Sequence, residues 1–172
     1  SDTQSISKAQ ELVLRAMDKY ECFGDSKSII DSLIRELGLF PYLNMDNLNL
    51  RDMIALEAHR ASIGEEKEIF FHGPQAEVYY KLICGQSVVL SAPTSFGKSL
   101  IVDALIASKK FNNIVIVVPT ISLIDETRRR LSKFSSQFKI VTHPLQSKGE
   151  KNIFVLTQER VLEEDFIGAQ YH

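Results

Sequence analysis

The sequence predicts an α/β chain: a parallel sheet with flanking helices, preceded by an all-helical N-terminal segment. Three observations carry this. The compact apolar runs S-V-V-L-S, I-V-I-V-V, F-K-I-V-T and N-I-F-V-L-T are each followed by a helical or loop window, which is the texture of strands buried on both faces and joined by right-handed parallel crossovers. Residues 1–65 lack such runs and place their apolar residues at helical spacing. The bulk numbers, 172 residues with 44% hydrophobic and 24% charged, suffice for one substantial core or for a compact domain with a helical appendage, and show no bias toward disorder or fibre.

Taken in order, S-I-S-K-A-Q-E-L-V-L-R-A-M-D-K-Y places Ile6, Leu12, Val13 and Met17 near one helical face. A second helix follows in D-S-K-S-I-I-D-S-L-I-R-E-L-G, with Asp25 or Ser26 as N-cap and Gly38 as the stop. After the turn-rich P-Y-L-N-M-D-N a third helix is expected from Arg51 to Ser62. Near Gly64 the chain changes to alternating apolar runs and amphipathic windows, and Q-S-K-G-E-K at 146–151 reads as a solvated loop between two strands.

The net charge of −2 gives no global attraction to polyanions, so binding to nucleic acid would rest on local groups. Cys22 and Cys84 stand far apart without metal-ligand spacing, which argues against a zinc site. No apolar run approaches the roughly 18 residues of a membrane span, and the first residues lack the basic and apolar regions of a signal peptide. The expected setting is therefore cytoplasmic, with no membrane partner.

The stretch S-A-P-T-S-F-G-K-S, Ser91–Ser99, lies directly after the expected strand S-V-V-L and directly before the expected helix S-L-I-V-D-A-L-I-A-S. Pro93, Thr94, Ser95 and Phe96 form a loop that can wrap a phosphate against the unpaired NH groups of a helix N-terminus, and Gly97 permits close backbone approach. In that reading Lys98 reaches the β- and γ-phosphates and the Ser99 hydroxyl ligates magnesium. Ala92 stands where G-x-x-x-x-G-K-[ST] begins with glycine, but this position needs small size more than positive φ. The plainer alternative is a turn rich in Pro, Ser and Gly.

These residues, with others between about Phe70 and Leu162, resemble the first RecA-like domain of the superfamily 2 helicases, the DEAD/DEAH-box group, in which a small residue at the head of the phosphate loop is a familiar variant. V-P-T-I-S-L-I-D-E resembles motif Ia, with Pro119, Thr120, Leu123 and Glu126 in the expected spacing, and V-L-T-Q-E-R is similar to motif Ib in its T-x-E-[KR], Ski-like form. The resemblance implies ATP and magnesium as cofactors and single-stranded DNA or RNA as partner. Pro74 and Gln75 stand where a Q motif would, so that Gln75 would read adenine and Phe70 or Phe71 would stack on the base; the alternative for Gln75 is an ordinary first-turn helix residue.

Thr120 and Thr157 each sit where a strand ends and a helix is expected to begin, so hydroxyl and NH groups can face a nucleic-acid phosphate; the alternative for each is a plain N-cap. With Pro119 and Arg160 they make up the expected strand-gripping set. The run Arg128–Arg130 adds charge attraction or is simply a solvated helix face.

Missing is the D-E-x-[DH] motif with which such an enzyme orients magnesium and the attacking water. I-D-E-T at 124–127 falls inside a helical window, beyond the strand ending near Val118, and E-E-D-F at 163–166 fits no better. The sequence therefore predicts an N-terminal fragment of an ATP-dependent helicase: a helical accessory segment at 1–65, suited to a protein partner, and a first RecA-like ATP-binding domain at 66–172, incomplete before motif II. Little turnover is expected from it alone, and self-association through an open sheet edge is a further expectation. The competing classes are another P-loop NTPase or kinase, in which motifs Ia and Ib have no counterpart, and a nucleotide-binding interaction module.

Overall fold

The computed structural model describes residues 2–45, 48–64, 67–143 and 145–162. The chain forms two compact units, Ser1–Ala61 with Glu68–Ile101, and Ser62–Lys67 with Val102–His172. It is α/β, with a partial RecA-like parallel sheet preceded by helices.

The first unit is built from α1 (Asp2–Met17), α2 (Lys27–Glu36), α3 (Leu50–His59) and α4 (Gly73–Ile83), with the short pair β1 (Arg60–Ser62) and β2 (Glu68–Phe70). Its core gathers Val13, Ile30, Ile34, Leu39, Leu43 and Leu56. Val13 and Met17 face inward as their spacing requires, whereas Ile6 and Leu12 are exposed. Leu12 is about 100° around the helix from Val13 and so lies off the stripe; Ile6 is on it but two turns earlier, and half of it remains exposed.

Helix α2 starts after Ser26 and ends in a Schellman motif: Leu39 N donates to Ile34 O at 2.9 Å and Gly38 N to Arg35 O at 3.2 Å. Gly38 sits at φ +66°, a conformation that other residues adopt only with strain. Helix α3 ends at His59, three residues before the expected Ser62, because Arg60 turns extended and joins the ladder with β2, where its guanidinium meets Glu68.

Asp52 fastens α3 to α2. Its backbone NH donates to Asn49 Oδ1 at 2.9 Å while its own carboxylate accepts from Asn49 N, completing a capping box. The same carboxylate, almost fully buried, accepts two hydrogen bonds from the Arg35 guanidinium, at 2.6 and 2.8 Å.

The second unit contains most of α5 (Lys98–Ala107), then β3 (Asn113–Val118), α6 (Ile121–Leu131), β4 (Lys139–Val141), β5 (Asn152–Thr157) and the single turn α7 (Gln158–Val161). The three strands are parallel in the order β3-β5-β4, with Asn113 opposite Asn152 and Val118 opposite Thr157. Every residue of the central β5 is buried, as a strand covered on both faces requires. Ile153 and Val155 pack with Ile106, Ile124, Leu131, Phe134 and Phe138 on one face, and Phe154 and Leu156 pack with Val141 on the other.

Val115 and Val117 on β3 remain exposed, and the outer edge of β3 has no partner strand among the described residues. Residues 146–151 form the expected loop, pinned by Asn152, whose side chain binds Gly149 N, Gly149 O and Asn113 Oδ1.

One expected strand does not form. Residues 86–93, including S-V-V-L, carry no regular structure, and Val89 is fully exposed. An apolar run becomes a strand only when a neighbour supplies ladder hydrogen bonds, and no described strand pairs with it. Among the described residues no helix is long and apolar enough to cross a membrane.

The Asp52 pair makes stability depend on pH in a definite direction. The Arg35 guanidinium hydrogen-bonded to it holds the carboxyl below its ordinary value of 3.8. The stabilisation is thus complete above that value and is lost as pH falls through the lower folded value. Asp52→Asn should cost about 1–2 kcal/mol at neutral pH, Arg35 being partly exposed, and should flatten the acid limb of stability in urea titrations run across pH.

Candidate functional site

In the first unit, Pro93 is extended, Thr94–Phe96 form a tight turn closed by Phe96 N donating to Pro93 O at 3.1 Å, and Gly97 takes φ +80° before α5 begins at Lys98. The positive φ lets the chain reverse from the turn into the helix, which is why glycine stands there. A Cβ at Gly97 would lie 2.8 Å from Gln75 Nε2, so a side chain there would displace that amide as well as strain φ. Lys98 curls back over the loop, its Nζ donating to Ala92 O at 2.7 Å and Pro93 O at 2.8 Å. An ammonium held beside a helix N-terminus suits a polyanion.

Gln75 ties this loop to α4. It is the third residue of the helix, after Gly73 and Pro74; Oε1 accepts from His72 N at 2.9 Å, and Nε2 donates to Phe96 O at 2.7 Å. Both ends of the amide are therefore engaged within the protein, each with capacity for one further hydrogen bond. Phe71, expected to stack on a base, is 0% exposed, with Tyr79 against it at 5.3 Å between ring centroids. It has no free face to offer in this arrangement, because it is part of the interior that anchors α4; Phe70 is half-buried and packs on the helical core.

His72 stacks on Tyr42, and burial pushes its imidazole pKa down, favouring the neutral form. Its ring caps α4 over the Gln75 NH, with Nδ1 enclosed and short of a full hydrogen bond.

In the second unit the parallel register brings the other predicted residues together. Val118 and Thr157 share a rung, so Pro119 and Thr120 leave the sheet beside Thr157, at the carboxyl ends of the strands, where open α/β sheets place ligands. Thr120 caps α6, its hydroxyl accepting from Leu123 N, and it and Pro119 are exposed. Thr157 occupies the N-cap position of α7 without a side-chain capping bond and is only 6% exposed. Glu159 is held below the usual carboxylate range by its own backbone NH and by the Thr157 hydroxyl. Arg160 Nη1 donates to Thr142 O at 2.8 Å. Thr120 and Pro119 thus present an open surface, while Thr157 and Arg160 are engaged internally.

The arginine run is divided. Arg128 pairs with Asp125 at 3.7 Å, and Arg130 pairs with Asp103, which also accepts from Lys133 at 2.8 Å. Asp103 is a buried carboxylate in the apolar helix S-L-I-V-D-A-L-I-A, a position that sequence reading passed over although a lone acid in an apolar helical run is itself the signal for a buried ion pair. Asp125 lies inside α6 rather than at a strand tip, and E-E-D-F at 163–166 falls outside the described residues. Among the described residues no cluster of His, Cys, Asp and Glu is arranged to hold a metal. A 540 Å³ cleft lined by Lys109, Lys139 and Lys151 lies at the amino ends of the strands, away from the ends where the predicted residues meet.

The donor set fits a triphosphate. Lys98 supplies the charge and the glycine step lets a ligand approach the backbone, while the Ser99 hydroxyl is the group that would hold a magnesium ion.

Comparison with known proteins agrees with this geometry. The family model described as Anti-bacteriophage protein B N-terminal domain matches residues 1–53, and the DEAD/DEAH box helicase model matches residues 73–166. Anti-bacteriophage protein B of Escherichia coli (strain K12) is 40% identical over 171 residues, covering 97% of this chain and 23% of that protein. The chain thus spans about a quarter of the length of that curated relative. No solved structure matches it significantly. The phosphate-loop geometry and a family match over more than half of its length lead to one conclusion: the chain belongs to the DEAD/DEAH box helicase family and carries a nucleotide-binding, helicase-like module.

Proposed function

We propose that this chain is the ATP-gripping portion of an ATP-dependent nucleic-acid helicase or translocase. The observation that carries the reading is the phosphate loop, in which Gly97 at φ +80° leads into α5 and Lys98 Nζ is held over the turn by the Ala92 and Pro93 carbonyls. Backbone groups of Pro93–Gly97 wrap the phosphates, Lys98 neutralises their far end, and Ser99 would hold a magnesium ion, which would supply further charge neutralisation. Gln75, already joined to the loop, contributes to adenine recognition through its remaining capacity.

Pro119 and Thr120 meet the nucleic-acid backbone first, being exposed, and Thr157 and Arg160 support the same rim from within. Such contacts track phosphates and not sequence. The T-Q-E-R of motif Ib supports a Ski-like branch of the family. The shared N-terminal domain and the relative's name support a role in phage defence. Residues 1–65 are the accessory segment and 66–172 the ATP-binding domain.

Lys98→Ala removes the ammonium without touching the core and should weaken magnesium–ATP binding roughly ten- to hundred-fold in calorimetry, while Gly97→Ala should lose it through backbone strain and the clash at Gln75; wild-type affinity in both would defeat the assignment. Single-stranded oligonucleotides should bind with affinity that falls with salt, the log–log slope being about −0.7 per phosphate neutralised. Binding indifferent to salt would remove the motor reading. These 172 residues alone should show little steady-state ATP turnover, since no acid pair stands at a strand tip among the described residues; turnover stimulated by nucleic acid would contradict this.

A further inference from the structure

The first turns of α1 carry polar residues on one side, Ser7, Gln10 and Glu11, in a segment whose other side packs through Val13. These three residues line a cleft of about 410 Å³ whose opposite wall is His72, Gln75, Ser95 and Phe96, that is, the start of α4 and the turn of the phosphate loop. This volume falls within the range of about 300–1,000 Å³ that small-ligand pockets occupy, and a few convergent polar groups on a partly apolar wall are what orient a ligand there.

The polar groups have defined roles. Gln10 Nε2 donates to Leu37 O at 3.1 Å, which fixes the amide and leaves Oε1 as the end available to a ligand. Glu11 gives one oxygen to Arg15 at 2.6 Å and retains the other. The α1 wall therefore offers acceptors. The facing wall carries His72, whose ring stands over the Gln75 NH, and the Gln75 amide, which retains capacity for a further hydrogen bond.

We propose that α1 forms one wall of the nucleoside subsite, so that the N-terminal helical segment takes part in nucleotide recognition as well as in any protein docking. Acceptors on this wall complement an exocyclic amine and ribose hydroxyls, the donors that adenosine presents; a guanine O6 would meet an acceptor there instead. The inference rests on the phosphate-loop reading above, because the cleft is continuous with Ser95 and Phe96.

Two probes separate the inference from that reading: magnesium–ATP, which needs both the loop and the cleft, and magnesium tripolyphosphate, which needs only the loop. Ser7 is exposed, so Ser7→Trp and the smaller Ser7→Phe fill the cleft from the α1 side while leaving the loop untouched. Both variants should weaken ATP at least about ten-fold and leave tripolyphosphate within about two-fold. Unchanged ATP affinity in both variants overturns the inference alone. Loss of tripolyphosphate in both variants also overturns it, since α1 would then be bracing the loop. If the unaltered protein binds neither probe, the phosphate-loop reading falls, and the inference with it.

Discussion

The geometry around Gly97 depends on one constraint: the chain must pass from the tight turn Thr94–Phe96 into α5 within a single residue, and only a left-handed conformation makes that step. Everything that defines the phosphate loop is arranged about this residue. Gln75 crosses to Phe96 O and fixes the turn, and Lys98 closes back onto Ala92 and Pro93. Because Gln75 Nε2 occupies the space where a Cβ would project, the glycine and the glutamine form one device. The loop is thus positioned by α4 as well as by its own helix, and α4 is in turn anchored by the buried Phe71.

A second device, in the other unit, is the strand register. Parallel pairing without offset between Val118 and Thr157 delivers two helix N-caps to one edge. The caps differ in consequence. Thr120 stands open to solvent, whereas the Thr157 hydroxyl is bonded to Glu159, and a carboxylate at that helix start opposes a second anion. Polar side chains here serve the fold before they serve a ligand. Asp103, receiving Arg130 and Lys133, is the extreme case, turning what reads as a basic surface into part of the interior's electrostatics.

Much of this was legible from residue order. The run at 152–157 became a strand covered on both faces, and the β-branched run at 113–118 became its parallel neighbour with one face left open. The Gly38 stop and the caps at Thr120 and Thr157 followed from local chemistry that needs no tertiary context. What failed depended on partners distant in sequence: S-V-V-L has strand composition but no ladder, Leu12 is apolar but off the packed stripe, and Phe71 reads as a ligand aromatic but is interior. Gln75 was legible by type and position, but its bond to Phe96 O, across 21 residues, was not. The division of the arginine run between Asp125 and Asp103 was hidden for the same reason.

The account turns on the loop clasping a triphosphate, and the most direct measurement is a crystal structure of the protein with a non-hydrolysable ATP analogue and magnesium. The account predicts phosphate density cradled by the backbone of Pro93–Lys98, with Lys98 Nζ moved from the Ala92 and Pro93 carbonyls onto the terminal phosphates. An analogue bound elsewhere, with Lys98 still on those carbonyls, would contradict it.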